Sequence, residues 1–471
     1  MVDTGFMILN KRTYPNFVNF LNRIKVSTVP TDLSFGMSRD HGAFEWAETS
    51  LDSIFCQRRH LFSLGIWRMI FDVIRFNHFA LELLIEDDAE RPGAGPGNGE
   101  GNGVHTCISP ESKQTIGEYL EMEGYSDAFR DDYLIPLIAA VWSMRPGKDI
   151  LELPAATIVR FLLNHDLLSS FATRPAWLTI KEGSRMYIDS VTKGFPPNHL
   201  FLRTPVRSIV NDKDGRVRLH LAQGGESAVY DHVILAIPGD AAYQVIKSTV
   251  TAEEQAILSK FRSCKTTAVL HSDISHMPAS RRAWSGCCSL SLSSPSTVNS
   301  RIDQVSVTYN LNTLQHIPRQ TFGDVLVTLN PLHEPDPKAV QGRYEYARPL
   351  YNAESIRAQA MLPGIQNRRG ISFAGAWTRY GHGNHEDGFS SGLSVAREHL
   401  GARLPFGFVD PTTYDRGRTP VLELSDHLAR LLILIIQVFL ILPLERIAER
   451  LSISGQKAVG MVKLNSGLEK K

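Results

Sequence analysis

The densest cluster of chemically able residues lies between Ile371 and Leu393: Ile371-Ser372-Phe373-Ala374-Gly375-Ala376-Trp377, residues 381–384, His385-Glu386-Asp387-Gly388-Phe389 and Ser391-Gly392-Leu393. Residues 371–374 read as a short buried strand and Gly375 as a tight turn. Asp387-Gly388 then starts a helix running through Val395-Ala396. The start of a helix offers unpaired N–H groups and a partial positive charge, which suits a phosphate or a developing flavin anion. Gly388 and Gly392 carry no side chain to hold a flat cofactor off the backbone. Asp387 can accept hydrogen bonds from ribityl hydroxyls. A plain capped helix after a strand has the same outline, but the density of Gly, Trp, His and acid favours a cofactor site. His385 and Glu386 have two readings: proton transfer beside a bound cofactor, or hydrogen bonding to cofactor and backbone only. His271 and Arg174 are further candidates, with a structural role as the alternative for a lone histidine in a strand.

The elements that must position these residues are mixed. A strand (6–9) starts almost at once, followed by a short helix (16–25) after Pro15 and strand-like segments within 31–48. Residues 61–85 form a strongly apolar helical stretch with Arg68, Asp72 and Arg75 on its polar side. An acidic patch (86–90) and a Gly-rich surface loop (93–103) follow. Helices are expected at 112–123 with Ser112 as N-cap, at 126–142 with an interruption at Pro136, at 154–168 and at 354–361. Strands are expected at 206–210, 217–221, 233–237, 266–271, 305–310 and 324–330. Such mixing without a clean repeat points to α/β architecture plus a second mixed sheet.

Lys and Arg number 50 against 49 Asp and Glu, so the formal charge of +1 gives no electrostatic reason to expect a nucleic-acid partner. The 5 cysteines lack the spacing of a zinc site, and an odd count argues against a disulfide scaffold. A reducing compartment and no metal are expected; adjacent Cys287 and Cys288 read as buried or incidental thiols, with a redox feature as the alternative. Residues 1–10 lack the features of a signal peptide. Residues 431–444 are aliphatic apart from Gln437 and Pro443, with Arg430 before them and Glu445, Arg446 and Arg450 after. The run is shorter than the roughly 20 residues a span needs. It reads as a membrane anchor or an interfacial helix, with a core or dimer-interface helix as the alternative.

The 371–393 segment resembles the C-terminal flavin-binding motif of the amine oxidase and phytoene desaturase superfamily. Within that group it looks most like the predicted NAD/FAD-binding proteins often found beside cyclopropane fatty acid synthases. Other stretches are similar too: Val2-Asp3-Thr4-Gly5-Phe6, Arg12-Thr13-Tyr14-Pro15-Asn16, residues 32–38 leading to Glu45-Trp46, Asn164-His165, Arg174-Pro175-Ala176-Trp177, Ala268-Val269-Leu270-His271 and Thr328-Leu329-Asn330-Pro331. The resemblance covers roughly residues 1–400. It implies FAD held by Val206 (backbone to the adenine edge), Pro238, Gly375, Trp377, Glu386, Asp387 and Gly388, with His385, Glu386 and His271 as the catalytic candidates. His385 occupies a position where the resemblance implies an aromatic residue beside an amine, which argues against an amine substrate. Lys181-Glu182-Gly183-Ser184 stands where a Gly-Gly-Ser turn is implied.

One departure is large. No strand followed by Gly-x-Gly-x-x-Gly and a helix occurs, and the 93–103 glycines lack the spacing. The ADP-binding first unit is therefore expected to be absent from this chain. The resemblance implies an α/β, FAD/NAD(P)-binding, two-domain amine-oxidase-like fold lacking the first βαβ unit. Its FAD-binding part would be 1–30, 200–240 and 365–400. A mixed-sheet plus helical substrate part would be 31–199 and 241–364 with loop 87–104, followed by a tail 401–471 carrying the segment 428–444. The implied function is an FAD-dependent oxidoreductase oxidising a C–H or C–N bond of an apolar, lipid-like small molecule. A truncated non-catalytic or membrane-bound binding protein and a flavin-dependent isomerase are the alternatives. The expected location is the membrane, facing the cytoplasm, or the cytoplasm itself.

Overall fold

The computed structural model of the chain describes residues 2–89, 114–142, 148–168, 176–196, 198–293, 302–350, 352–379, 383–410, 420, 422–447 and 450. Ser112, Arg174, Gly381, His382 and the glycine-rich tract 93–103 lie outside the described residues.

Helix α1 (Pro15–Arg23) precedes β1 (Thr28–Thr31), β2 (Phe35–Arg39) and β3 (Phe44–Ala47). A helical stretch follows: α2 (Leu64–Phe79), α3 (Ile116–Met122), α4 (Ile135–Trp142) and α5 (Ala155–Asn164). Next come β4 (Trp177–Ile180), α6 (Arg185–Thr192), a meander of β5 (Val206–Asn211), β6 (Val217–Leu221) and β7 (Glu226–Tyr230), then β8 (Val233–Leu235) and α7 (Gly239–Ile246). The long strands β9 (Ser263–His271), β10 (Cys287–Ser293), β11 (Ile302–Asn310), β12 (Leu326–Leu329) and β13 (Val340–Pro349) lead to β14 (Ile371–Phe373), α8 (His385–Leu400) and α9 (Leu424–Ile436).

The largest sheet has the order β13-β9-β12-β11-β10-β2-β3 and is antiparallel except where β10 meets β2. Phe35 and Met37 of β2, Cys287 of β10 and Val307 of β11 pack on Phe129, Ile138 and Ile158 of the helices, forming one apolar core. A second core gathers around β8 and β14, the parallel pair: Leu235, Ile371, Phe373, Ala242, Ile246 and Trp377. The fold is thus mixed α/β, with a small parallel element carrying the 371–393 segment and a large mixed sheet backed by helices.

Several elements differ from expectation for identifiable reasons. The 6–9 segment is not a strand; only Leu9 bridges Leu178, beside the β1–β4 pair. The strand expected at 233–237 ends at Leu235. The helix expected from Ser112 starts at Ile116, where Thr115 and Glu118 form a reciprocal capping box. The long helical stretch breaks after α2, and its polar side is buried rather than solvated. Asp72 accepts the Ser126 N–H at 2.9 Å and Arg68 donates to the Gly124 carbonyl at 2.9 Å, while Arg75 reaches the Glu123 carbonyl. These charges stitch α2 to the turn after α3 instead of facing water.

Pro136 does not end its helix either. A widened turn at Arg130–Leu134 runs straight into α4. Proline lacks the N–H that would bond the Asp132 carbonyl four residues back. That carbonyl instead accepts the Trp46 indole N–H at 3.0 Å, tying β3 to the helices.

Candidate flavin site

Strand β14 delivers the chain to the site at full burial, and its edges are paired on both sides. One edge bonds β8; on the other, the Gln366 amide accepts the Phe373 N–H and donates to the Phe373 carbonyl, both at 2.8 Å. Gly375 then turns the chain at φ 137°, and a Cβ there would lie 2.8 Å from the Trp377 indole nitrogen. Only glycine is at ease in that conformation. Ser391 locks turn to helix: its hydroxyl accepts the Gly375 N–H at 2.7 Å and donates to the Gly388 carbonyl at 2.8 Å. Helix α8 starts at His385, two residues earlier than expected, because Asn384 caps it and Asp387 returns the bond.

The entrance of α8 opens onto a cavity of about 810 Å³. Gly375, Ala376, Asn384, His385, Gly388 and Gly392 contribute to its lining, together with Tyr133, Phe161, His165, Tyr309 and Arg348 from other elements. A Cβ on Gly392 would meet no protein atom within 4 Å, and one on Gly388 would meet only ordinary contact at 3.6 Å. Packing therefore does not demand glycine at either place. Both leave bare backbone facing the cavity, Gly388 in the first turn of α8 and Gly392 one turn further along, a cradle that fits the flat ring end of a flavin.

His385 sits inside an aromatic cage. Its ring stacks on Phe6 at 4.1 Å, meets Phe17 edge-on at 4.6 Å, and its Nε2 is 3.4 Å from the Tyr187 hydroxyl. Burial pushes its pKa down to about 4, so the imidazole is neutral at neutral pH. It is a weak proton acceptor there, suited to hydrogen bonding and ring contact. Burial also raises the Tyr187 hydroxyl above its usual range.

The expected site residues separate into two groups. Gly375, Gly388 and His385 line the cavity. Glu386, Asp387, Trp377, Val206, Pro238 and His271 do not, and each has another task. Glu386 is fully buried, and its two carboxylate oxygens accept the N–H groups of Asn16 and Phe17 and the Ser390 hydroxyl. Burial outweighs those bonds and raises its pKa to about 7. Asp387 accepts the Asn384 N–H at 3.0 Å within the capping box. Trp377 donates its indole N–H to the Ile237 carbonyl at 2.8 Å and wedges against Phe261. Val206 pairs with Leu221 across the meander, and Pro238 precedes α7 as its N-cap residue. His271 is fully buried in β9, its Nε2 2.6 Å from the Thr328 hydroxyl and its Nδ1 accepting the Asp273 N–H.

Phe6, Tyr187 and Arg348 were not singled out by sequence reasoning. Phe6 and His385 lie at opposite ends of the chain, and no local pattern links them. Tyr187 owes its place to the turn before α6, where the Asp3 carboxylate accepts the Ser184 N–H at 3.0 Å. β13 was not expected from the sequence; its alternation puts Tyr346 and Arg348 on one face, a signal that could have found Arg348.

Residues 128–271 match the family described as flavin containing amine oxidoreductase. That stretch runs from seven residues before α4 to the end of β9 and does not include the 371–393 segment. No curated protein matches the chain significantly. Among solved structures, the CLA-producing fatty acid isomerase from P. acnes superposes with a TM-score of 0.53 at 14% identity, covering 84% of this chain and 87% of that one. Wild-type putrescine oxidase bound to putrescine gives 0.53 at 12% identity, covering 85% and 88%. Cyclohexylamine oxidase from Brevibacterium oxydans IH-35A gives 0.52 at 13% identity, also covering 85% and 88%. The chain has the amine-oxidase-like FAD-binding fold.

Proposed function

We propose that this chain is an FAD-dependent oxidoreductase that oxidises a C–H or C–N bond of an apolar, lipid-like molecule. The observation that carries the reading is the bare backbone of Gly388 and Gly392 along the first two turns of α8, facing a cavity with a largely aromatic and aliphatic wall. The family match and the shared fold support the flavin. The resemblance of the sequence to proteins found beside cyclopropane fatty acid synthases supports a lipid as substrate. When bound, FAD would supply a hydride acceptor that oxygen or another acceptor reoxidises.

The chain's own residues contribute position and electrostatics. The N–H groups at the start of α8 favour negative charge at the ring end of the cofactor. Phe6, Phe17 and Tyr187 hold neutral His385 against the cavity, where it can donate or accept one hydrogen bond without bringing in charge. The apolar wall excludes water and matches an apolar chain. Arg348, on the same wall, supplies a cation, which disfavours a substrate carrying an ammonium group. We further propose that the helical segment Leu424–Ile447 associates with a membrane on its cytoplasmic side: it is long and apolar enough to cross one, and 11% of its apolar window is buried.

The test is turnover by the full chain loaded with FAD, on a panel of unsaturated fatty acids and long-chain amines. Oxygen uptake or dye reduction with the fatty acids supports the reading. Preference for the amines would overturn the substrate class. A second reading, a flavin-dependent isomerase, is favoured by the superposition on the fatty acid isomerase. It predicts a rearranged product with no oxygen consumed and no acceptor reduced.

A further inference from the structure

The apolar helix that continues α9 to Ile447 is pinned to the body at both ends. Near its start, the Arg430 guanidinium donates to the His78 carbonyl at 2.6 and 3.1 Å and pairs with Glu82 at 2.5 Å. Near its end, Glu445 pairs with Arg68 at 2.9 Å. His78 lies at the C-terminal end of α2 and Arg68 near its N-terminal end, so the two helices run antiparallel side by side. From Arg430 to Glu445 the helix advances roughly 22 Å. Arg430 and Ile433 face inward, 7% and 5% exposed.

The neighbour is not a membrane helix. Arg68, Asp72 and Arg75 of α2 are buried and bonded to the turn after α3. A bilayer core could not take up this helix pair without taking up that ionic network, which hydrocarbon opposes strongly. The outward face, however, is apolar over its whole length: Leu428, Leu432, Ile435, Val438 and Phe439 are between 46% and 76% exposed. The Glu445 end is held by Arg68, and close to Arg68 in the sequence Phe62, Leu64 and Trp67 are 91%, 57% and 48% exposed. Exposed Arg58 and Arg59 adjoin Phe62, and exposed Arg446 and Arg450 adjoin the helix end. An apolar strip with cations beside it matches an anionic lipid surface.

We infer that the segment lies flat on a membrane rather than crossing it, and that Phe62, Leu64 and Trp67 share the footprint. This rests on the membrane association proposed above. The two ion pairs then orient the whole body: α2 lies directly above the bilayer, and the protein sits on one leaflet.

The test is flotation of the full chain with vesicles of phosphatidylcholine alone and of phosphatidylcholine with phosphatidylserine. Flotation should occur and strengthen with phosphatidylserine. Phe62→Glu with Trp67→Glu should weaken binding by about tenfold or more, as should Leu432→Glu with Phe439→Glu. Leu432 and Phe439 are exposed, so that pair should leave thermal unfolding in the absence of lipid unchanged. Trp67, by contrast, donates its indole N–H to the Leu61 carbonyl and packs on Phe55, so its pair is compared with the wild type at a temperature where both are folded. With Leu444→Cys, a membrane-impermeant maleimide added outside sealed vesicles should label the new thiol above the wild-type background. A protected thiol, with binding indifferent to Phe62 and Trp67, overturns the flat arrangement while keeping the membrane. No flotation of the wild-type chain overturns the membrane association itself. Dimers in solution that the Leu432→Glu/Phe439→Glu pair dissociates would then assign the strip to a second copy.

Discussion

The Glu386 carboxylate accepts the backbone N–H of Phe17 at 2.9 Å, so the first turn of α8 holds the first turn of α1. The same carboxylate takes the Asn16 N–H at 3.0 Å. A helix N-terminus carries unpaired amides, and here a residue of the candidate motif supplies their acceptor. The bond fixes Phe17, which in turn meets His385 edge-on. Glu386 therefore shapes the site from behind.

Replacing Glu386 by Ala should leave two buried amides without acceptors and cost about 2–4 kcal/mol. Glu386→Gln should cost less, since one acceptor oxygen remains. The sign of the pH effect follows from the raised pKa of about 7. The folded state favours the protonated carboxyl, so this contribution is full below 4.5 and is lost as pH rises through about 7. Removing this titration should therefore make stability in urea rise more steeply with pH across that window in Glu386→Gln than in the wild type.

Gly392 separates a packing role from a cofactor role. No protein atom lies within 4 Å of its missing Cβ. Gly392→Leu should therefore keep or raise the melting temperature of the cofactor-free chain, gaining up to about 1 kcal/mol of helix propensity. It should also weaken FAD binding by about tenfold or more, measured by fluorescence titration.

Gly375 should behave in the opposite way. Its φ of 137° and the 2.8 Å approach of the Trp377 nitrogen leave no room for a side chain. Gly375→Ala should cost about 2–4 kcal/mol in urea unfolding, with or without FAD.

These contrasts show what the sequence could and could not reveal. The strand, Gly375 and the α8 entrance were legible because each depends on residues adjacent in the chain. Asp387 and Glu386 were legible as important acids, but their hydrogen-bond partners were not. Asn384 lies three residues before Asp387, whereas Asn16 and Phe17 are contributed by α1. Arg68, Asp72 and Arg75 looked solvated because periodicity reports a polar face without saying what covers it. His271 looked chemical because a lone histidine in a strand carries no sign of its partner, Thr328. The α/β class followed from the mixture of elements, whereas the sheet order rests on contacts between distant segments.

Acid should weaken the fold through buried histidines. His165, His271, His276 and His385 are each pushed to about 4 from 6.5 by burial. Their neutral forms belong to the folded state, so their contribution is full above 6.5 and is lost as pH falls through about 4. Glu386 and Asp132, both raised to about 7, act in the opposite sense over the same window. His385→Phe keeps a ring in the Phe6–Phe17 cage and removes one titration. It should flatten the acid-side loss in thermal unfolding without a large change near neutrality.

The most direct test of the account is whether the full chain holds FAD. The protein is incubated with excess FAD, passed through a desalting column, and its visible spectrum recorded beside that of Gly392→Leu. The account predicts a protein-bound flavin spectrum in constant proportion to the chain, strongly reduced in the variant. No flavin retained by the wild-type chain, or equal retention by both proteins, would contradict it.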